Sequence, residues 1–444
     1  MEQGAGQGRW RGGYRVYGCS GGHHLRPERR AERGHGRGRG GGRSSARAAR
    51  SRARGRHPQP VGPVVELPSF WAALPWAVPF LAFFRLARRQ PSLGQAPLAS
   101  GRLVSVIIPA RNEEDNLPIL LDSLLQTSYQ PVEILLVNDR STDGTAVVAR
   151  RYVERDSRVR LIEGAELPPG WFGKPWACVQ GYRAARGDLL LFTDADTRHA
   201  PELLGRAVGA LESDQRDLVT VMGRMICGSF WERVIMPIIT ALLAIRFHPS
   251  VVNRARSASE VIANGQFILV TRESYEVVGT HEAVKHEVAE DLAMAQLYFR
   301  AGRPLLFAFG LKLLGTRMYT SLAGMVEGWS KNVYVGGRRS YPDEPVRRAM
   351  MPVMFGLGAL FWLLPPAALL LALAGVTPGW LEPAAWATGL SALFWVLFDA
   401  GFGINPLYGL SYPLGVLMTG WIFARSTHRG ERKIEWRGRT YSSE

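Results

Sequence analysis

Cysteine is nearly missing from this chain: 444 residues contain three, Cys19, Cys178 and Cys227. Odd in number, widely spaced and in no Cys-x-x-Cys pair, they exclude a disulfide framework and a cysteine zinc cluster, and they suit chemistry facing a reducing compartment. Residues 1–60 lack lysine and any periodic apolar face, and are built largely from glycine and arginine. Their fifteen arginines against three glutamates hold twelve of the sixteen net positive charges, so the rest of the chain is close to neutral. The overall charge is therefore no argument for a nucleic-acid partner. Aromatics are scarce there too, with only Trp10, Tyr14 and Tyr17, and an arginine-rich RNA binder would interleave more of them. Such a composition cannot bury a core. The segment is expected to be a dispensable extension, with an arginine-rich tail for nucleic acid or lipid headgroups as the weaker alternative. It shows no apolar stretch or small-residue cleavage site of a secretory signal.

Charge is absent from several long runs, which excludes a simply soluble protein although the hydrophobic fraction is an ordinary 46%. Leu67 to Phe84 is an uncharged run of 18 residues, followed by Arg85, Arg88 and Arg89; residues 64–89 are expected to form an N-terminal anchor. Three prolines, Pro68, Pro75 and Pro79, leave a monotopic or re-entrant anchor as the alternative. Val353 to Gly375 gives a 23-residue span, and Ala384 to Ala424 gives 41 residues whose only charge is Asp399, read as two further spans or as one span plus a re-entrant segment. Residues 351–424 are thus expected to be transmembrane, and residues 425–444 to be a basic tail. The positive-inside rule places the region after the first anchor in the cytoplasm. The expected location is the cell membrane, multi-pass, although a basic tail after three crossings opposes the same rule.

Between these runs, residues 101–345 alternate short apolar strands with amphipathic helices. Val104 to Ile108, Glu133 to Val137, Val159 to Ile162 and Leu189 to Thr193 read as buried strands. Glu113 to Gln126 and Asp143 to Asp156 read as helices, the second capped by Ser141 or Thr142. This alternation implies an α/β domain with a mostly parallel sheet, and ligand sites then lie at the carboxyl ends of the strands. Val234 to Ile245 is an apolar run too short to span; core and an interfacial helix guiding a lipid are equally open readings.

Four polar clusters fall at strand ends. Pro109-Ala110-Arg111-Asn112-Glu113-Glu114 follows the first strand and lines a nucleotide pocket or simply turns the chain. Asn138-Asp139-Arg140-Ser141-Thr142-Asp143 follows the second, where an acid can accept bonds from a base or ribose, and Asp143 fits a helix N-terminus. Asp194-Ala195-Asp196 leaves the fourth strand. Two carboxylates at that spacing can converge on Mg²⁺ or Mn²⁺, or serve only turn chemistry. Glu290-Asp291 opens a helix, compensating its dipole or, opposite the metal carboxylates, supplying a general base. His281-Glu282 and His286-Glu287 are not a zincin pair, because histidines five apart diverge on a helix.

The succession Val104 to Pro109, Asn138 to Thr145, Asp194-Ala195-Asp196 and Glu290-Asp291 resembles a family 2 glycosyltransferase with the GT-A nucleotide-diphospho-sugar transferase fold, over about residues 103–335. Gly170-Trp171-Phe172-Gly173-Lys174-Pro175-Trp176, Gly328 to Asn332 and Trp436 to Tyr441 resemble the membrane-bound branch acting on hopanoids or carotenoids, including the hopene-associated and diaponeurosporenoate or chlorobactene glycosyltransferases. The resemblance implies that Pro109, Glu113 and Asp139 contact uridine. It implies that Asp194 and Asp196 serve the donor diphosphate and its Mg²⁺ or Mn²⁺, and that Asp291 is the base. Lys174 would lie near the donor phosphates, whereas the residues alone favour a surface lysine. Trp329 matches the last position of the Gln-x-x-Arg-Trp motif of processive synthases, but Met325 and Gly328 stand at its Gln and Arg positions, which weakens a processive reading.

The function so implied is inverting transfer of a hexose, with glucose expected, from a UDP-sugar to a membrane isoprenoid-type lipid. Transfer to ceramide-like or polyprenyl-phosphate lipids is the enzymatic alternative, and a non-catalytic membrane scaffold retaining the fold is the alternative of another class.

Overall fold

The computed structural model describes residues 69–87, 90–430, 434–436 and 439–441, all within the unit Glu66–Glu444. The Arg/Gly segment 1–60 lies outside the described residues, as do Arg88, Arg89 and most of the basic tail after Gly430. A 3₁₀ turn, Ser69–Ala73, leads into α1 (Leu74–Ala87). Within the described residues the apolar helical stretch is Phe70–Phe83, and the first residues of the expected anchor lie outside them, as do Arg88 and Arg89.

The α/β part follows in strict alternation: β1 (Val104–Ala110), α2 (Leu117–Leu125), β2 (Val132–Asn138), α3 (Thr145–Arg155), β3 (Val159–Glu163), α4 (Gly173–Ala184) and β4 (Leu189–Phe192). Six of the seven β1 residues and all of β2 and β4 are buried, as expected of strands covered on both faces. Alternate residues feed opposite layers. Val106 and Ile108 join the core under α2 and α5 (Leu203–Ser213), whereas Ile107 meets Leu135, Phe192 and Tyr275 on the other face.

After β5 (Thr197–His199) the chain adds β6 (Leu218–Met222) and β7 (Arg224–Met225), then α6 (Phe230–Arg246) and α7 (Pro249–Val252). Next come β8 (Ile268–Thr271), α8 (Arg272–Val277), α9 (Glu290–Arg300), β9 (Leu305–Phe309) and β10 (Leu314–Thr316). The main sheet runs β3-β2-β1-β4-β8-β6-β9, and β5, β10 and β7 form a small second sheet. The main sheet is parallel except at β8, which is antiparallel to both β4 and β6. Phe192, the last residue of β4, pairs with Ile268, the first of β8. Running backwards, β8 places the loop before it at the edge where the parallel strands end.

Two helix starts differ from expectation. α2 begins at Leu117 rather than Glu113, because Pro118 is tolerated only in a first turn. α3 begins after Gly144, and neither Ser141 nor Thr142 caps it; Asp143 Oδ1 instead accepts from Thr145 N at 3.0 Å and Thr145 Oγ1 at 2.6 Å.

α10 (Leu322–Arg339), α11 (Pro345–Leu373), α12 (Leu381–Gly401) and α13 (Tyr412–Arg429) complete the α-helices of the described residues, so the 41-residue apolar stretch is two helices. Among the described residues four segments are long and apolar enough to cross a membrane: Phe230–Val252, Pro345–Leu373, Pro378–Gly401 and Pro406–Arg429. The first is 61% buried over its apolar window against 11% for α11, so α6 packs inside the protein while α11 turns leucines outward. A capping box between Ser229 and Glu232 starts α6, and Arg317 pairs with Glu232 at 3.1 Å. At Gly415 the backbone of α13 comes so close to Val234 of α6 that a Cβ would collide with the Val234 carbonyl. Ile238 and Ala241 of α6 share one apolar cluster with Phe394, Trp395 and Phe398 of α12, and α1 packs there through Phe80 and Phe83.

Candidate active site

The ends of β1 and β2 are stitched together. Asp139 N donates to Ala110 O at 2.8 Å, and Arg111 Nη1 donates to the carbonyls of Asp139 at 2.7 Å and Arg140 at 2.9 Å. Glu113 N donates to Thr145 Oγ1 at 2.8 Å, while Glu113 Oε2 accepts from Asn116 Nδ2 at 2.8 Å. Burial opposes the Asp143 charge, but bonds from Thr145 and the Glu114 amide outweigh it and hold the carboxyl below its ordinary range. Asp143 thus serves the helix start, as expected.

Across the sheet edge, Lys174 in the first turn of α4 places Nζ 2.7 Å from Asp194 Oδ1 and 2.7 Å from Glu290 Oε1. Burial works against its charge, yet Asp194, Glu290 and Asp291 together hold the ammonium well above its usual range. It is not the surface lysine that its local sequence favours. Asp291 Oδ2 accepts from Gly265 N at 3.0 Å and Oδ1 from Leu292 N at 2.7 Å. Burial first, then the Glu290 charge, pushes its carboxyl up to about 6, with Lys174 pulling the other way. A Cβ on Gly265 would stand 2.9 Å from Lys174 Nζ and 3.2 Å from Asp291 Oδ2, so a methyl there would press on both side chains and glycine leaves them undisturbed.

Gly265 and Gln266 line the same cavity as Lys174 and Asp291 and were missed by the sequence reading, although an Asn-Gly pair before an apolar strand was a turn signal. The reversed β8 brings them in. Gln266 O accepts from Thr193 Oγ1 at 2.7 Å, and Thr197 Oγ1 donates to Asp194 O at 2.8 Å, which fixes the loop carrying Asp194 and Asp196. Among the described residues no three His, Cys, Asp or Glu side chains cluster as a metal cage. His281 is a core residue, its Nδ1 2.7 Å from the Tyr275 hydroxyl.

One cavity of about 1630 Å³ collects Pro109, Glu113, Lys174, Asp194, Asp196, Asp291 and Trp329. Asp139 is not among its lining residues; it is buried behind the β1 and β2 ends. Trp329, on α10, is 8% exposed and its ring lies 6.1 Å from that of Tyr319. A Cβ on Gly328 would run into the Tyr319 ring, so an arginine there, as in the processive motif, would have to displace Tyr319.

Residues 105–278, which hold β1 to β8 and the first three of the four polar clusters but not Glu290-Asp291, match the glycosyl transferase family 2 profile. The chain carries a family 2 glycosyltransferase domain. Its mostly parallel sheet, with motifs at one edge, is the GT-A arrangement that the motif order implied. Over 263 residues the chain is 30% identical to the 4,4'-diaponeurosporenoate glycosyltransferase of Staphylococcus aureus (strain MRSA252), covering 57% of this chain and 66% of that protein. It is 29% identical over 244 residues to the protein of that name from Staphylococcus haemolyticus (strain JCSC1435), covering 54% and 63%. The chain thus spans just under two thirds of the length of these curated relatives. A mannosyltransferase from Pyrobaculum calidifontis, solved in complex with GDP-Man and Mn²⁺, aligns with 82% of this chain and 98% of its own at 19% identity, with a TM-score of 0.48.

Proposed function

We propose that the chain is a membrane-bound inverting glycosyltransferase that moves a hexose, glucose by expectation, from a UDP-sugar to a hydroxyl or carboxyl of an isoprenoid-type lipid. In this reading residues 101–345 are catalytic and face the cytoplasm, residues 64–89 and 351–424 hold them at the cell membrane, and the carotenoid substrate in the relatives' names indicates the acceptor class. The observation that carries it is the single cavity that joins the Lys174, Asp194 and Asp291 cluster to apolar helices.

The donor's uridine occupies the pocket at Pro109 and Glu113, with Asp139 supporting it from beneath. Its diphosphate faces Lys174, Asp194 and Asp196. Two carboxylates without a third side-chain ligand fit a Mg²⁺ or Mn²⁺ shared with substrate phosphates, the usual habit of Mg²⁺. A cation held by Asp194 and Asp196 would neutralise charge on the departing diphosphate. The acceptor oxygen attacks the anomeric carbon from the face opposite the diphosphate. A carbon–oxygen bond forms there, the bond to the β-phosphate oxygen breaks, and UDP leaves with the electron pair.

When the acceptor is a hydroxyl, its proton passes to Asp291, whose carboxyl near 6 is ionised at neutral pH yet basic enough to accept. A carboxylic-acid acceptor is already ionised and gives up no proton. The Gly265 and Leu292 amides hold Asp291 in place throughout. The test is mass spectrometry of membrane lipids from cells with and without the gene. A hexose-shifted isoprenoid lipid is the expected result, and an unchanged lipid profile with the protein expressed refutes the proposal.

A further inference from the structure

The cavity is larger than a single small-molecule site, which commonly measures about 300–1,000 Å³. Its second arm leaves the charged cluster between α6, α10, α11 and α13. Along α11 its lining runs from Met351 to Trp362, and along α13 from Thr427 to Val416. Eleven rises of about 1.5 Å between Met351 and Trp362 make this arm roughly 16 Å long, about half of a ~30 Å hydrocarbon core.

The lining chemistry changes along the way. Beyond Phe355 and Phe423, whose rings stack at 3.9 Å, the walls hold no charged side chain and end on the stacked Trp362 and Phe394. The Thr419 hydroxyl and the tryptophan indoles are the polar side-chain groups lining it there, and no charge is available for a phosphate. Room is kept by glycines. Half-buried Gly336 and Gly420 line the arm, and a Cβ on either would find no atom within 4 Å. On the same helix as Gly420, Gly415 is required by close backbone packing against α6. Gly420 has no such neighbour, so glycine there leaves space rather than permitting contact, at a cost to helix propensity.

Resting on the lipid-transferase reading, we propose that this arm is a sheath for the hydrocarbon tail of the acceptor. It takes one linear, unsaturated isoprenoid-type chain whose polar end reaches Asp291. Flat aromatic walls and glycine gaps suit a single stiff chain, and depth makes tail length a specificity determinant separate from the donor site.

The experiment uses the full chain in lipid nanodiscs with radiolabelled UDP-glucose and a series of linear prenyl alcohols of increasing length. In the wild type kcat/KM rises with tail length until the extended tail is about 16 Å and then levels. Replacing Gly420 by Ala, Leu and Phe in turn lowers kcat/KM for long tails progressively, by at least tenfold with Phe, through KM. The shortest acceptor and calorimetric UDP binding change less than twofold, which shows that the variants fold. Gly389→Phe, on an exposed face of α12 outside the arm, behaves as wild type. Equal losses for short and long tails, no dependence on length in the wild type, or preference for a two-chain ceramide overturns the sheath. Absence of wild-type transfer to every lipid tested overturns the parent reading instead.

Discussion

Replacing Asp291 by asparagine removes a charge and a proton acceptor while keeping size. The wild-type carboxylate accepts from two backbone amides, Gly265 N at 3.0 Å and Leu292 N at 2.7 Å. Asparagine offers one oxygen, so its own NH₂ group must face the other donor, and one hydrogen bond is lost at about 1–2 kcal/mol. Lys174 keeps Asp194 and Glu290 as partners, so the cluster does not collapse. For a hydroxyl acceptor, loss of the base costs roughly 10² to 10⁴ in kcat, about 3–5 kcal/mol of barrier. The pH profile carries the same signature. Because burial and Glu290 lift the Asp291 carboxyl to about 6, wild-type kcat/KM falls tenfold per pH unit below that value, and the variant's profile is flat there. For a carboxylate acceptor of matched tail, the variant transfers within a few-fold of wild type, since no proton is removed. The assay pairs calorimetric UDP-glucose binding with transfer to a prenyl alcohol and its acid. Wild-type rates on the alcohol, with donor binding intact, refute the assignment of Asp291 as base.

Lys174→Met leaves Asp194, Glu290 and Asp291 without their cation and destabilises the chain by about 3 kcal/mol in denaturant melts; adding Glu290→Gln recovers much of that stability but not transfer. Gly265→Ala forces a methyl against Lys174 and Asp291, and is expected to lower kcat at least tenfold while circular dichroism stays unchanged. Chelation abolishes transfer, Mg²⁺ or Mn²⁺ restores it, and Asp196→Ala resembles the chelated enzyme; full activity in excess chelator refutes metal use. Burial holds His199 and His281 down near 3, so between that value and 6.5 the unfolded chain binds more protons and stability falls as pH drops. Unfolding at pH 5 against pH 7 reads a loss of about 2 kcal/mol per histidine, and His281→Gln removes its share.

Four strands were legible because strands buried on both faces are uninterrupted apolar runs, and β1 to β4 lie within two residues of expectation. The strand that shapes the site was not. β8 is four residues long, Ile268–Thr271, and nothing in its composition reports that it runs antiparallel. The burial of Lys174 was equally hidden, since its partners Asp194 and Glu290 are 20 and 116 positions away. Pro118, by contrast, was a readable signal: a proline six residues into a proposed helix should have moved the start of α2 to Leu117. The substitution of Gly328 for a motif arginine became explicable only when Tyr319 was found occupying that space.

The close packing of α6 and α13 bears on how such enzymes can be recombined. In sequence, catalytic and membrane parts look like cassettes separable near residue 345. Yet α6, encoded inside the catalytic part, carries Ile238 and Ala241 into the cluster of α12, and its Val234 carbonyl abuts Gly415 of α13. The anchor is therefore not a transplantable module. A chimera with a foreign anchor must reproduce both the glycine and the cluster, and a catalytic fragment cut from its anchor would carry an adhesive apolar face into water.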